Sequence, residues 1–311
     1  MRCDLHVHSR FSGRCSVPVL RHFVDESYAE PAEVYATARR RGMDLVTLTD
    51  HDTIEGALTL VARPDVFVSE EVTCTLPGGR ELHLGVYDLS ENQHEGVAAR
   101  RNDADRLFAY LAEKRLPVAL NHPFSALTGP RETSDLELAF EHVTHVEGLN
   151  GMLPTVTNRC GADAGTWHGL PLVGGSDSHT LRSVARAHTV VPGARTRAEF
   201  LAGLRQGFCI PAGRSGGYVR LTADLAVIAA RAGATVVARA ASGWKQAGQA
   251  VALACAAPLL SLLPVMSAIV TMHDRRFAAR HLARHAVTLP TSVRRTDVAA
   301  RGYRAPAASI P

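Results

Sequence analysis

The sequence has no CxxC pair, very few lysines and only a small net charge. Each of these features argues against a class of protein. The six cysteines are scattered with no CxxC pair, which indicates reduced cytoplasmic thiols rather than a disulfide framework. A formal charge of +4 over 311 residues argues against a nucleic-acid-binding surface. No secretory leader precedes the first apolar run, so we expect a cytoplasmic location.

Short apolar runs alternate with helical patterns from the start of the chain to about residue 213. In "EPAEVYATARRRGMD", Pro31 stands where a helix begins and Gly42 where it ends. One longer helix is expected across "VAARRNDADRLFAYLAEKR". Repeated strand–helix units of this kind predict an α/β fold with a parallel sheet, closed or nearly closed into a barrel.

Residues of metal-ligand type follow almost every apolar run. His6 and His8 are spaced i, i+2, so in a strand their imidazoles share a face. The other residues of this kind are Asp50 and His51, Glu71, His122, and Asp177 and His179. His83 stands earlier in its own strand. Because catalytic groups of a βα-barrel collect at the carboxyl ends of its strands, we expect these side chains to converge.

Two local features support this convergence. Gly174 and Gly175 precede Asp177, and glycines there permit close approach of another backbone. Asp50 and Asp52 flank His51, and we expect these carboxylates to orient its imidazole.

The motifs "DLHVHS", "TDHDT", "SEEVT", "ELHLGVYD", "NHPF" and "GSDSH" resemble, in order and spacing, those of the PHP family, named for polymerase and histidinol phosphatase domains. The resemblance covers residues 1–213. It implies a distorted (β/α)7, TIM-like barrel that holds two or three divalent ions, commonly zinc, manganese or iron.

The resemblance also implies a set of ligands. The first metal would be held by His6, His8, Glu71 and Asp177. Glu71 is preferred to Glu70 because the family's glutamate stands two residues before Ser or Thr, here Thr73. Glu71 would bridge to a second metal held by His83 and His122.

A third metal would use His51, His179 and an acid or histidine five residues after His8. This chain has Gly13 at that position, which offers no side-chain ligand. The resemblance therefore implies an intact two-metal centre and a third site that lacks one of its ligands.

The expected activity is metal-dependent hydrolysis of a phosphomonoester or small phosphodiester, with a hydroxide bridging two ions. Glu71, Asp177 and His179 are the expected catalytic residues. The arginines expected to bind the phosphate of a small phosphorylated substrate are Arg14, Arg182 and Arg186. Asn150, at the end of "HVEGLN", is a further candidate at the mouth.

Two other functions stay open at this stage. A metal-dependent amidohydrolase also uses HxH on its first strand, but many bridge their metals through a modified lysine, and neither Lys114 nor Lys245 ends a strand. The other alternative is a non-catalytic PHP scaffold, which the glycine at position 13 keeps open.

The composition changes after residue 213. Residues 214–311 predict an alanine-rich helical extension, and the last stretch, "RGYRAPAASIP", is expected to be disordered. Residues 251–272 contain no charge, so this run predicts either a helical or oligomerising segment or a membrane-associated one. The sequence leaves the oligomeric state open.

Overall fold

The strands and helices alternate along most of the chain. The computed structural model describes residues 1–15, 24–125, 129, 131–240 and 261–288. The strands are β1 Arg2–Asp4, β2 Leu45–Val46, β3 Ser69–Thr75, β4 Glu81–Tyr87, β5 Val118–Leu120, β6 His145–Asn150, β7 Leu172–Gly175, β8 Ala187–Val190 and β9 Ile210–Gly213. The helices are α1 Pro31–Arg40, α2 Glu55–Leu58, α3 Glu91–Ala98, α4 Ala104–Glu113, α5 Thr133–His142, α6 Thr155–Trp167, α7 Arg197–Arg205, α8 Tyr218–Ala240 and α9 Leu263–Thr288.

Helix boundaries follow the capping residues. Helix α1 has Pro31 in its first turn, as the sequence predicts, and a capping box formed by Glu30 and Glu33. The single long helix expected across residues 97–115 is wrong, because the chain forms α3 and α4 instead. The Asp103 side chain accepts a hydrogen bond from the Arg106 amide and so starts a new helix in the middle of that stretch.

The strands form two mixed sheets. Their orders are β2-β1-β8-β9 and β3-β4-β5-β6-β7. The pairs β1/β2, β5/β6 and β6/β7 are parallel, and the remaining pairs are antiparallel. The α/β class is therefore as expected, but a uniformly parallel sheet is wrong, and the described strands form no closed barrel. The reason lies partly in the short turn between β3 and β4: Gly78 and Gly79 have positive φ there, and so short a connection can only join antiparallel strands.

Single-residue bridges connect the two sheets near the candidate ligands. They pair Val7 with Ser178, Val46 with Val66, and His51 with Glu71. These bridges bring the segments after β1, β2 and β7 against each other and against β3. Residues distant in sequence therefore meet at one edge of the fold.

The C-terminal helices pack against the preceding α/β part. The Phe277 ring of α9 lies 5.9 Å from that of Phe124, measured between centroids. On α8, Asp224 is 2% exposed and accepts hydrogen bonds from the hydroxyls of Thr180 (2.9 Å) and Ser183 (2.5 Å). Helix α8 therefore contacts the segment that directly follows Asp177.

Among the helices of the described residues, none is long and apolar enough to cross a bilayer. Residues 251–260 of the segment predicted to associate with a membrane lie outside the described ranges, and so does the tail expected to be disordered.

Candidate metal centre

The predicted ligands meet at the edge where the sheets approach each other. His122 follows β5 directly, whereas His83 lies near the start of β4. Because β4 and β5 are antiparallel, with Leu84 paired to Leu120, the beginning of β4 lies beside the end of β5. The irregular position of His83 in the sequence is thus explained by strand direction.

Four side chains surround a first position. The Nε2 atoms of His6 and His8 lie 3.2 and 3.3 Å from Glu71 Oε2. The same nitrogens lie 3.4 and 3.5 Å from Asp177 Oδ1. Ligands bonded to one ion at about 2.1 Å stand about 3.0–3.4 Å apart in octahedral or tetrahedral geometry. The spacing of these four atoms therefore fits a single divalent cation.

The other oxygen of Glu71 faces a second position. Glu71 Oε1 lies 3.4 Å from His83 Nδ1 and 3.1 Å from His122 Nε2. Asn121 donates a hydrogen bond of 2.9 Å to the same oxygen and so fixes its direction. A fully buried carboxylate with a separate set of imidazoles at each oxygen is suited to bridge two ions.

Several ligand atoms have no hydrogen-bond partner although they are buried. They are His6 Nε2, His8 Nε2, Glu71 Oε2 and His83 Nδ1. Buried polar atoms in proteins are nearly always satisfied, so a group of orphaned atoms pointing at one space needs an explanation. Divalent cations at both positions would satisfy all four, and the donor set of imidazole nitrogens and carboxylate oxygens suits zinc, manganese or iron.

Burial keeps part of the histidine set neutral. Burial, reinforced by the nearby His179, lowers the pKa of His8 to about 3. Burial likewise lowers the pKa of His83 to about 4. Burial also lowers the pKa of His6, but the charges of Glu71 and Asp177 outweigh it, and the net shift is upward. Neutral imidazoles offer the lone pair that a metal ion needs.

Glu147 of β6 orients two of the ligands. Its carboxylate is 2% exposed; Oε1 lies 2.9 Å from His6 Nδ1, and Oε2 accepts from the His122 amide at 2.8 Å. Asn150 Nδ2 donates both to Glu147 Oε2 (2.9 Å) and to Asp177 Oδ2 (3.0 Å). Glu147 is not among the residues expected from the sequence, although a charged residue inside the apolar run "HVEGLN" was a signal for it.

The carboxylates expected to orient His51 act elsewhere. Neither Asp50 nor Asp52 forms a hydrogen bond or ion pair with His51 in the described part of the chain. Asp50 instead accepts from the Ser12 hydroxyl at 2.8 Å, and that hydroxyl lies 3.0 Å from His8 Nδ1. The Asp50 carboxylate therefore fixes the orientation of the His8 ring through Ser12.

The contacts of His51 come from two other acids. His51 Nδ1 lies 3.3 Å from Glu71 Oε2, and His51 Nε2 lies 2.9 Å from Glu26 Oε2. His179 Nε2 is 3.6 Å from the same Glu26 oxygen. Glu26 was not among the predicted ligands, because "VDESYAEP" has no periodicity or motif that marks one acid.

The backbone at the strand ends has unusual dihedral angles and close contacts. His122 and Asp177 have φ values of 29° and 50°, which non-glycine residues rarely adopt. A Cβ at Gly175 would stand 2.7 Å from the backbone nitrogen of His6, and one at Gly174 would stand 2.7 Å from the carbonyl oxygen of His188. The close approach predicted for these two glycines is confirmed.

The arginines are placed differently from the histidines. Arg14 is half exposed and forms an ion pair with Asp25 at 3.3 Å. Arg182 is exposed, and its carbonyl accepts from Arg41. In the described residues, neither Arg182 nor Arg186 forms a hydrogen bond or ion pair with a side chain of the cluster.

Comparison with known proteins agrees with the motifs. A PHP-associated family model matches residues 158–209, from α6 to the segment before β9. An uncharacterized protein of Methanocaldococcus jannaschii is 34% identical over 58 residues, which are 19% of this chain and 33% of that protein. The matched segment therefore spans only a third of this relative.

Two solved structures are similar to this chain at low identity, and the first of them shares its fold. A two-domain protein from Bacteroides vulgatus, containing a predicted PHP-like metal-dependent phosphoesterase, superposes with a TM-score of 0.51 at 17% identity, covering 69% of this chain and 65% of that one. An amidohydrolase from Chromobacterium violaceum covers 68% of this chain and 98% of that one at 15% identity, with a TM-score of 0.45. The second score is too low to support an argument about activity. The matched segment and the shared fold make the chain similar to PHP proteins.

Proposed function

We propose that the chain is a metal-dependent phosphoesterase that hydrolyses a phosphomonoester or a small phosphodiester. The observation that carries the proposal is the bridging geometry of Glu71, whose two oxygens face separate sets of imidazoles. When bound, divalent ions at such a site neutralise charge on phosphoryl oxygens and make a water molecule acidic enough to attack. The distorted (β/α)7 barrel also remains part of the proposal, and the bridges between the two sheets support it.

The roles of the residues follow from their positions. His6, His8, Glu71 and Asp177 would hold one ion, and Glu71, His83 and His122 the other. Asp177 Oδ1 faces the first position while Oδ2 is held by Asn150, so this carboxylate cannot turn away. His179 Nδ1 lies 3.1 Å from the Asp177 carbonyl, which leaves Nε2 to face Glu26, and His179 would act in catalysis by holding an ion beside the substrate.

The phosphate itself needs cationic partners. Arg14, Arg182 and Arg186 are the candidates from sequence, and planar guanidinium groups match phosphate oxygens. Arg14 is the best placed, because it forms a bridge with Asp25, the neighbour of Glu26, which contacts His51. A cytoplasmic small phosphorylated molecule remains the proposed substrate.

An amidohydrolase with a lysine bridge fits less well. Lys114 directly follows α4 and pairs with Glu113 on the surface, and Lys245 lies outside the described residues. The bridging position in the described cluster is held by Glu71.

A substrate screen tests the proposal. The protein loaded with zinc, manganese or iron should release phosphate or alcohol from at least one member of a phosphoester panel, and an amide panel run in parallel separates the alternative. His6→Ala and Asp177→Ala should abolish turnover, whereas His168→Ala, a histidine paired with Glu137 outside the cluster, should not. Equal turnover in the wild type and both cluster variants would refute the proposal. Metal binding without turnover of any substrate would favour the scaffold alternative.

A further inference from the structure

A short antiparallel pairing places Glu26 directly against Gly13. The Glu26 amide donates to the Gly13 carbonyl at 3.0 Å, and the Cys15 amide donates to the Val24 carbonyl at 2.9 Å. Arg14 and Asp25 form the bridge between these two contacts. The chain that leaves the first strand region at Gly13 therefore returns beside it at Glu26.

The Glu26 carboxylate points at the two histidines whose loop partner is missing. Its Oε2 lies 2.9 Å from His51 Nε2 and 3.6 Å from His179 Nε2, and the side chain is 12% exposed. Ligand atoms that share one divalent cation stand about 3.0–3.4 Å apart, so both distances are close to the edges of such a polyhedron. The ligand atom of His8 lies within 4.8 Å of those of His51 and His179, so this group adjoins the first metal position.

The backbone explains why the acid is not at position 13. Gly13 has a φ of 78°, in the left-handed region where an L side chain is strained. A Cβ built there would meet nothing within 4 Å, so the obstacle is conformational rather than a lack of space. An acid at this position would strain the turn, whereas its hydrogen-bonded partner Glu26 offers a carboxylate without that strain.

We propose that Glu26 replaces the loop ligand that is absent at position 13 and, with His51 and His179, completes a third divalent-cation site. Two imidazoles and one carboxylate form a donor set that suits zinc, manganese or iron. The inference rests on the proposed metal-dependent function, since His51 also contacts Glu71, the acid proposed to hold the first two ions. It predicts that the chain binds three ions, although its sequence lacks the usual third-site ligand at position 13.

A Glu26 that only pairs with the two histidines as an ion pair would give the same distances, and counting ions separates the two roles. The wild type, Glu26→Gln and the matched control Asp25→Asn are saturated with zinc or manganese and desalted, and metal per chain is measured by mass spectrometry. Asp25→Asn removes the same charge from the neighbouring position, where the carboxylate contacts Arg14 rather than a histidine. We expect three ions in the wild type and the control, and two in Glu26→Gln.

Titration of the last ion provides the second measurement. Loss of a ligand should raise its dissociation constant by at least about tenfold, the smallest effect usual for residues that support a metal. If Glu26→Gln does not fold, Glu26→Asp decides, because it keeps the charge but withdraws the oxygen and should weaken only the last ion. Two ions in the wild type, or three bound with unchanged affinity in the variant that folds, would overturn the inference. The ion count is independent of turnover, so an inactive protein with three ions would refute the proposed function alone.

Discussion

Replacing Glu147 by glutamine should weaken the first metal position without touching any ligand. The carboxylate accepts from three groups: the His6 ring, the His122 amide and the Asn150 side chain. Since an ionised carboxylate can only accept, His6 Nδ1 must carry its proton, which leaves the Nε2 lone pair free for an ion. A glutamine has one acceptor oxygen and would turn its own donor towards at least one of these donors.

The expected loss of metal affinity follows from the hydrogen bond between Glu147 and the ligand His6. Changes at such residues typically reduce metal affinity about 10–100-fold, which corresponds to about 1.4–2.7 kcal/mol. The assay is a competition titration of zinc against a chromophoric chelator at neutral pH. Glu113→Gln, on the exposed end of α4, is the control that removes a carboxylate far from the cluster. A Glu147→Gln protein that melts like the wild type and binds zinc equally well would show that Glu147 does not orient His6.

Three further predictions concern the stability of the fold. Divalent ions should raise the melting temperature, and a chelator should reverse this. Ions that bind only the folded state add about 2.7 kcal/mol to the free energy of unfolding at a hundredfold excess over their dissociation constant. A melting temperature that does not change with metal would contradict the site. Asp224→Asn should lower the free energy of unfolding by about 1–3 kcal/mol in urea, because two buried hydroxyl donors lose their charged acceptor, whereas Thr222→Ala on the same helix should have little effect. Burial lowers the pKa of His145 to about 4, so the fold favours its neutral form, and the associated stability is complete above about pH 6.5 and is lost as the pH falls towards 4. His145→Gln should remove up to about 3 kcal/mol of that pH dependence, as measured by urea unfolding at pH 7 and pH 4.5, and identical pH profiles for the two proteins would contradict this account.

The sequence identified the residues that converge but not how the strands are arranged. HxH at positions 6 and 8, and Asp177 with His179, have a spacing that places side chains on one face whatever the sheet around them. That spacing does not determine the direction of the strands. The β3–β4 turn makes β4 antiparallel to β3, and β4 also runs antiparallel to β5, so the beginning of β4 places His83 beside the other ligands.

Helices were predicted well where capping residues mark both ends, as in α1. They were predicted less well where a cap lies inside a continuous polar pattern, as at Asp103 between α3 and α4. A single side-chain hydrogen bond decides such a boundary, and periodicity over a longer window does not detect it.

The sequence by itself determined which side chains could bind metal, because ligand chemistry belongs to residue type and the strand-end motifs preserve their order. Only the tertiary structure determined which acids support them. Glu26 and Glu147 are separated from the histidines they contact by 25 residues or more, and no local pattern relates them. Their positions depend on how the loop after Gly13 returns and on which strand β6 lies beside, and these are properties of packing between distant segments.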